Sequence, residues 1–474
     1  MMAASRRKTK IICTVGPATA SYEGIERLYE AGMSVVRLNM SHASQDEAAE
    51  IIHWIKTLNR KVRYPMPIML DTQGPEIRTV PLDAPLALHP GQRVFLDVAP
   101  QPAAEVPSIE VNYPGLADAV SVGDRVRLDN GLINVRVVAR FNDRLECQVA
   151  DGGMLGSRKH VNLPGVAVNL ASITDKDRDD IAFGIAEEID FIALSFVRSA
   201  DDIAELRDLL GPRAGRVIQV IAKIENTEGV DNAEPIARAA DAVMVARGDL
   251  GIETDIATLP IVQRRLAEIC ARLGKRCIVA THLMESMIEN PIPTRAEVTD
   301  VANAVYEGAD AIMLSGETSV GAYPYRCVEQ LANIAEASER QRGFSLHESL
   351  ANDTAKQHLA TSAARLAEAI HAAGIVVITR RGITADLMTN CHPDQVPIFA
   401  FTNTSQTRRR LMLNRGVFAY RTSFSNDPEK TIQTAFAVLR EREGIGPDES
   451  VVVISDVLAE KAVDAIQLRK VGTP

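Results

Sequence analysis

The chain has 474 residues, 46% hydrophobic and 24% charged, an ordinary soluble composition and too long for a single hydrophobic core. About two to four domains are expected. Its formal net charge is −10, from 52 Lys and Arg against 62 Asp and Glu, and no basic stripe is concentrated anywhere, which argues against nucleic acid or an anionic membrane as partner.

The six cysteines (Cys13, Cys147, Cys270, Cys277, Cys327 and Cys391) form no CxxC pair, so reduced thiols in a cytoplasm are expected rather than disulfides or a zinc site. The start "MMAASRRKTKIICTVGP" is basic, but its apolar run is too short for a signal peptide. No window approaches the roughly 20 apolar residues of a spanning helix.

In chain order, "KIICTVGP", "SVVRLNMSH" and "PIMLDTQGP" are short β-branched runs that stop at polar residues. From about Pro75 to Leu170 the alternation changes to period two, with turn signals at Pro90-Gly91, Gly123-Asp124 and Asn130-Gly131. There "RVRLDNGLINVRVV" predicts a hairpin with a two-residue turn. The first pattern then resumes with "DFIALSFVR", "VIQVIAKIEN", "AVMVARGDLG", "CIVATHLM" and "AIMLSGET", alternating with helical stretches. Eight such units predict a closed parallel (β/α)₈ TIM barrel, whose active site lies at the C-terminal ends of its strands. An all-β insertion at that end would hang over the site as a lid. After about residue 345, "GIVVITRRG", "VPIFAFTN", "GVFAYRTS" and "SVVVISD" predict a C-terminal α/β domain with an open sheet. The expected domains are barrel 1–73 and 171–345, lid 74–170, and C-terminal domain 346–474.

The strand ends bring chemistry to one rim. Arg37, Asn39, Ser41 and His42 follow the second strand; Asp71, Thr72, Glu76 and Arg78 follow the third. Lys223 and Glu225 end the fifth, Gly248 and Asp249 the sixth, Thr281 and His282 the seventh, Ser315 and Glu317 the eighth. Lys223 and Glu225, two apart, project to the same side of a strand. Glu225 and Asp249, from adjacent strands, could share a hard cation such as Mg²⁺. Cations for an anionic substrate beside carboxylates for a metal suit phosphoryl transfer. Singly, each residue has an ordinary reading as a salt bridge, strand-end hydroxyl or tight turn; their joint occurrence on one rim favours function. Two rival readings are a Schiff-base lysine at Lys223, as in class I aldolases, and a catalytically silent metabolite sensor.

The blocks "KTKIICTVGPAT", "RLNMSH", "DTQGPEIR", "GSRKHVNLPG", "AKIENTEGV", "MVARGDLGIE" and "ESMIENPIPTRAEVTDVANAV…GADAIMLSGETSVGAYP" resemble those of the pyruvate kinase family, in the family's order and over nearly the whole chain. The resemblance implies a homotetrameric glycolytic enzyme that moves the phosphoryl group of phosphoenolpyruvate to ADP and protonates the enolate to pyruvate. By it, Lys223 and Arg37 would stabilise the phosphoryl group, and Glu225 and Asp249 would bind Mg²⁺ (or Mn²⁺). The Arg247-Gly248 backbone would meet the substrate carboxylate, the missing Cβ of Gly248 allowing close approach. Thr281 would contact substrate and, with Ser315, help deliver the proton. Asn39, Ser41, Asp71 and Thr72 would cage K⁺, and Asn39, His42, Arg78 and Lys159 would hold the nucleotide. Glu76 goes with K⁺-activated members. Gln73, His282 and Val320 depart from the family's usual Lys, Gln and Lys, which bears on substrate affinity and pH profile.

In the C-terminal domain, Thr379, Arg380, Arg381, Gly382 and Thr384 of "VVITRRGITADL" form a short turn where backbone amides, two hydroxyls and two arginines predict a phosphate cradle. Members activated by fructose 1,6-bisphosphate use a similar loop for one phosphate and a Gly-rich loop between the last two strands for the other. Here the final connection, "SDVLAEKAVDAIQLRKV", contains no glycine. The expected effector is therefore a monophosphate, either a sugar phosphate or AMP.

Overall fold

The structure, a computed structural model, describes residues 6–99, 106–166, 168, 170–351, 353–455 and 465–472. The eight apolar runs form the parallel strands Lys10–Thr14, Val35–Asn39, Ile68–Asp71, Phe191–Leu194, Gln219–Ile224, Ala242–Ala246, Arg276–Ala280 and Ala311–Leu314, closed into one barrel. The first and eighth strands complete the closure, with Lys10 opposite Ala311 and Cys13 opposite Leu314. Of all these strand residues only Asn39 and Gln219 are not buried, as both-face coverage of a parallel sheet requires. Ser44 with Glu47, Thr174 with Asp177 and Thr294 with Glu297 close capping boxes that start helices Gln45–Leu58, Asp175–Ala186 and Arg295–Tyr306.

Side chains alternate along a strand, so each strand feeds two cores. Ile12, Val35, Met69, Ala193, Ile221 and Met244 point into the barrel lumen and pack together. Ile11, Val36, Leu70, Ile192, Val220 and Val243 point outward into the layer shared with the helices. Leu413 of the C-terminal domain joins the lumen cluster, and the Lys10 ammonium donates to the Val417 carbonyl at 2.7 Å, so that domain covers the N-terminal end of the barrel. The opposite end is left for the site.

Among the described residues the inserted module has a six-stranded sheet and a two-stranded one around its own core, which includes Val94, Leu96, Val126 and Val135. The two-residue hairpin turn is corrected: Leu128 pairs with Ile133, leaving four residues in the loop. The Asp129 N–H donates sideways to the His160 carbonyl at 3.0 Å, and Asp129, Asn130 and Gly131 all take positive φ. That lateral bond draws Asp129 out of the ladder.

In the C-terminal domain, Val417–Arg421, Ile398–Thr402, Gly374–Ile378 and Ser450–Ser455 are parallel neighbours in that order. A fifth strand, Ala465–Lys470, pairs antiparallel with Ser450–Ser455. In the sequence these residues read as part of the final connection. Their sparse burial explains the omission, since an edge strand open to solvent carries little apolar signal. The rest of that glycine-free connection, residues 456–464, lies outside the described residues.

Candidate active site

The inward parity of the lumen continues past its apolar residues, from Ile12 to Thr14, Val35 to Arg37, Met69 to Asp71, Ala193 to Ser195 and Ile221 to Lys223. The side chains so delivered bond to one another. Asp71, fully buried, accepts from the Arg37 Nε at 2.6 Å and pairs with the Lys223 ammonium at 2.9 Å. Arg37 also donates to the Thr14 hydroxyl at 2.9 Å, while Lys223 donates to the Ser195 hydroxyl at 2.7 Å and lies 3.1 Å from Glu225. The second carboxylate oxygen of Glu225 accepts the Phe196 N–H at 2.7 Å.

Burial opposes ionisation of Asp71, yet Arg37 and Lys223 hold its carboxyl below the usual range. Burial opposes charge on Lys223 too, and Asp71 and Glu225 outweigh it, so the ammonium stays protonated well above neutrality. A Schiff-base nucleophile needs the free amine, which disfavours the aldolase-like reading. Glu225 behaves differently. Burial pushes it up to about 7, with Asp249 and Asp71 adding to the shift against Lys223. Two cations thus face three carboxylates, a set that favours one further cation.

Arg247, Gly248 and Asp249 open the short helix Arg247–Glu253 directly after the sixth strand. The Gly248 N–H donates to the Thr281 hydroxyl at 2.6 Å. The nearest atoms that a Cβ at Gly248 would meet belong to Thr281, at an ordinary 3.5 Å, so the fold itself does not demand glycine there. Thr281 and His282 take positive φ of 65° and 55°, uncommon for a β-branched threonine. His282 is exposed and 3.6 Å from Glu285. Ser315 donates its N–H to Glu317 at 2.7 Å, whereas its buried hydroxyl has no partner among the described residues.

Of the proposed K⁺ ligands, Asn39 and Asp71 are register partners, and the Ser41 N–H donates to the Asn39 side chain at 3.2 Å. Thr72 fits less well: its hydroxyl donates to the Ala193 carbonyl and accepts the Ser195 N–H, and its carbonyl already accepts from the Ser195 hydroxyl at 2.6 Å. Among the nucleotide residues, His42 is exposed, and Arg78 and Lys159 are brought together by the Arg78–His160 bridge. Arg78 pairs with Glu76 at 2.7 Å and Lys159 with Asp129 at 2.9 Å. Gln73 donates to Glu76 at 3.1 Å, and Val320 is exposed. Sequence reasoning missed Thr14, Ser195 and His160. The lumen parity would have found the first two. His160, its imidazole pKa lowered by burial and acted on by Glu76, Arg78, Asp249 and His42, sits where lid meets barrel mouth, a junction no local pattern encodes. A cavity of about 280 Å³ opens beside it, lined by Glu76, His160, Phe196, Arg198 and Glu253 among others.

The C-terminal loop divides. Thr379 and Thr384 are buried, whereas Arg380 and Arg381 are exposed and line a cavity of about 720 Å³ with Arg216, Thr404, Thr407 and Arg410. Gly382 takes φ of 83°, a conformation that favours glycine, and a Cβ there would also displace the far end of the Arg410 side chain.

A closed barrel with a β lid and with buried cations and carboxylates at its mouth defines a phosphotransferase of anionic substrates. Comparison with known proteins names it further. The family model described as "Pyruvate kinase, barrel domain" matches residues 6–328, and "Pyruvate kinase, alpha/beta domain" matches residues 357–467. The pyruvate kinase of Geobacillus stearothermophilus is 42% identical, over 91% of this chain and 74% of its own. That of Dictyostelium discoideum is 38% identical over 95% and 91%, and plastidial pyruvate kinase 2 of Arabidopsis thaliana is 38% identical over 98% and 81%. A crystal structure of a pyruvate kinase from Cryptosporidium parvum superposes with a TM-score of 0.92 at 34% identity, covering 98% of this chain and 96% of that one. The chain belongs to the pyruvate kinase family.

Proposed function

We propose the following division of labour for the pyruvate kinase reaction, in which the phosphoryl group of phosphoenolpyruvate passes to ADP and the enolate left behind is protonated. The observation that carries it is the pair Arg37 and Lys223, set side by side on the buried Asp71 at 2.6 and 2.9 Å. Phosphoryl transfer asks the protein for positioning and charge neutralisation rather than covalent work. Arg37 and Lys223 bind the phosphoryl oxygens, and Asp71 keeps both cations oriented before substrate arrives. Substrate carboxylate meets the backbone at Arg247 and Gly248, where the absent side chain allows close approach beside Thr281. Thr281 and Ser315 handle the proton; the orphaned Ser315 hydroxyl suits a water relay between them. Asn39, His42, Arg78 and Lys159 hold the nucleotide beneath the lid.

Glu225 and Asp249 suit Mg²⁺ or Mn²⁺, because hard cations prefer carboxylate oxygens and the donor set carries excess negative charge. Bound there, the ion supplies Lewis-acid neutralisation of phosphoryl charge. Asn39, Ser41, Asp71 and Thr72 serve K⁺. A coupled assay of ATP formation from phosphoenolpyruvate and ADP, with and without each cation, tests this reading. Nucleotide binding without turnover would support a silent sensor instead.

Regulation follows the C-terminal loop. Exposed Arg380 and Arg381, facing a cavity shared with Arg216 and Arg410, support binding of a sugar monophosphate or AMP. Activity at subsaturating phosphoenolpyruvate with each compound decides this, and activation by fructose 1,6-bisphosphate alone refutes it. Exposed Ile256, Ile261, Ile292 and Val298 support assembly as a homotetramer, checked by sedimentation. Among the described residues no helix is long and apolar enough to cross a membrane. All six cysteines are free, which supports a cytoplasmic location; fractionation distinguishes that from a plastid.

A further inference from the structure

The seventh strand ends in a conformation that needs holding. Thr281 has φ of 65°, a region that is strained for a β-branched residue and persists only where its surroundings impose it. The Arg247 guanidinium imposes it. Its Nη2 donates to the Thr281 carbonyl at 2.7 Å, and its Nε donates to the same carbonyl at 3.2 Å and to the Ala280 carbonyl at 3.3 Å. The next residue, Gly248, directs the Thr281 hydroxyl by donating to it at 2.6 Å, and that hydroxyl in turn donates to Ala280. Backbone and side chain of Thr281 are therefore both set by the Arg247-Gly248 dipeptide.

Arg247 is itself buried, and a buried guanidinium persists only with a counter-charge. Its Nη1 reaches Asp300 at 2.7 Å and the neutral Gln263 at 3.3 Å. Asp300 is the carboxylate paired with it among the described residues. It stands on helix Arg295–Tyr306 and meets the Arg247 side chain, whereas only the backbone of Arg247 is given to substrate. We propose that Asp300 is a positioning residue: through Arg247 it fixes the strained Thr281 and so governs protonation of the enolate more than phosphoryl transfer. Loss of its charge frees Arg247 to reorient, and Thr281 relaxes from the geometry that presents its hydroxyl. The inference rests on the proton-handling role given to Thr281 above.

The test compares two rates in the full-length enzyme with Mg²⁺ and K⁺ present: ATP formation from phosphoenolpyruvate and ADP, and, in a separate reaction without phosphoenolpyruvate, enzyme-catalysed exchange of the methyl protons of added pyruvate with solvent deuterium, followed by NMR. Asp300→Asn, isosteric and half-exposed, is expected to lose methyl exchange about tenfold more than ATP formation. Asp300→Glu, which keeps the charge, is expected to recover much of that difference; it also serves as the comparison should the Asn variant not fold. Thr281→Val is measured alongside. If Thr281→Val loses exchange and Asp300→Asn does not, or if both rates fall equally in Asp300→Asn, the coupling is wrong. If Thr281→Val leaves exchange intact, the role of Thr281 is wrong instead. In the double variant Asp300→Asn, Thr281→Val, an exchange rate no lower than that of Thr281→Val supports the clamp, because one interaction cannot be removed twice; independent, additive losses overturn it.

Discussion

Replacing Lys223 by methionine removes one ammonium from three partners at once: Asp71 at 2.9 Å, Glu225 at 3.1 Å and the Ser195 hydroxyl at 2.7 Å. Two consequences separate experimentally. For catalysis, loss of one preorganised donor to developing phosphoryl charge costs on the order of 3 kcal/mol or more, about a hundredfold or greater in turnover. For stability, breaking a buried ion pair from one side costs about 3–5 kcal/mol, because a buried carboxylate is left without its cation. Asp71 retains Arg37 at 2.6 Å, so Glu225 carries most of the penalty. A divalent ion on Glu225 and Asp249 offsets that penalty by binding the folded state. The variant should therefore melt at a lower temperature than the parent without metal, and the gap should narrow as Mg²⁺ is added. Binding of phosphoenolpyruvate should survive largely intact, since Arg37 remains. Steady-state turnover by the coupled assay, with thermal melts across a Mg²⁺ titration, measures both effects. Turnover near the parent's rate would sink the role given to Lys223, and a melting gap indifferent to Mg²⁺ would place the metal elsewhere.

Glu225→Gln and Asp249→Asn should each raise the Mg²⁺ concentration for half-maximal activity steeply; titrations that overlay the parent's would remove these carboxylates from the metal site. Activity should depend on K⁺, and Glu76→Lys should relax that dependence by supplying the charge internally. The same change sets an ammonium where Arg78 now finds its carboxylate at 2.7 Å, so ADP affinity should weaken too; equal activity of the parent with and without K⁺ contradicts the reading. A fourth prediction concerns Lys10, whose ammonium is buried against the Val417 carbonyl and whose pKa burial and Arg7 pull down to about 7. Between that value and the unfolded ~10.4 the unfolded chain binds a proton that the folded chain does not, so stability rises with pH by up to about 1.4 kcal/mol per unit. The contribution is present above the unfolded pKa and is lost as pH falls towards 7. Denaturant melts of Lys10→Met between pH 7.5 and 9.5 should show a shallower slope than the parent, and identical slopes would mean that Lys10 stays charged in the fold.

How far the site could be read beforehand depends on which physical rule delivers each residue. Barrel strands announce themselves because burial on both faces demands unbroken apolar runs, and all eight were legible. Arg37, Asp71, Lys223 and Glu225 were legible because charge at the end of such a run is conspicuous. Ser195 was not, although it follows Ala193 in the same inward parity and receives Lys223 at 2.7 Å. A serine after a strand is common, so only its inward parity, and no feature of the residue itself, marks it as one that meets a lysine. The hairpin loop failed for a related reason: Asn130-Gly131 does favour a tight turn, but the His160 carbonyl, far along the chain, outbids it for Asp129. The edge strand Ala465–Lys470 escaped because half-exposed positions carry no apolar period. Arg247 is the most instructive case. The sequence places it in the substrate block, where a cation invites assignment to an anion, yet its side chain turns away to Thr281 and Asp300. Its guanidinium is bound into the scaffold. Position in a motif identifies which residues converge, whereas the direction of each side chain is decided by partners that the fold brings from elsewhere, and the chemistry divides along that line.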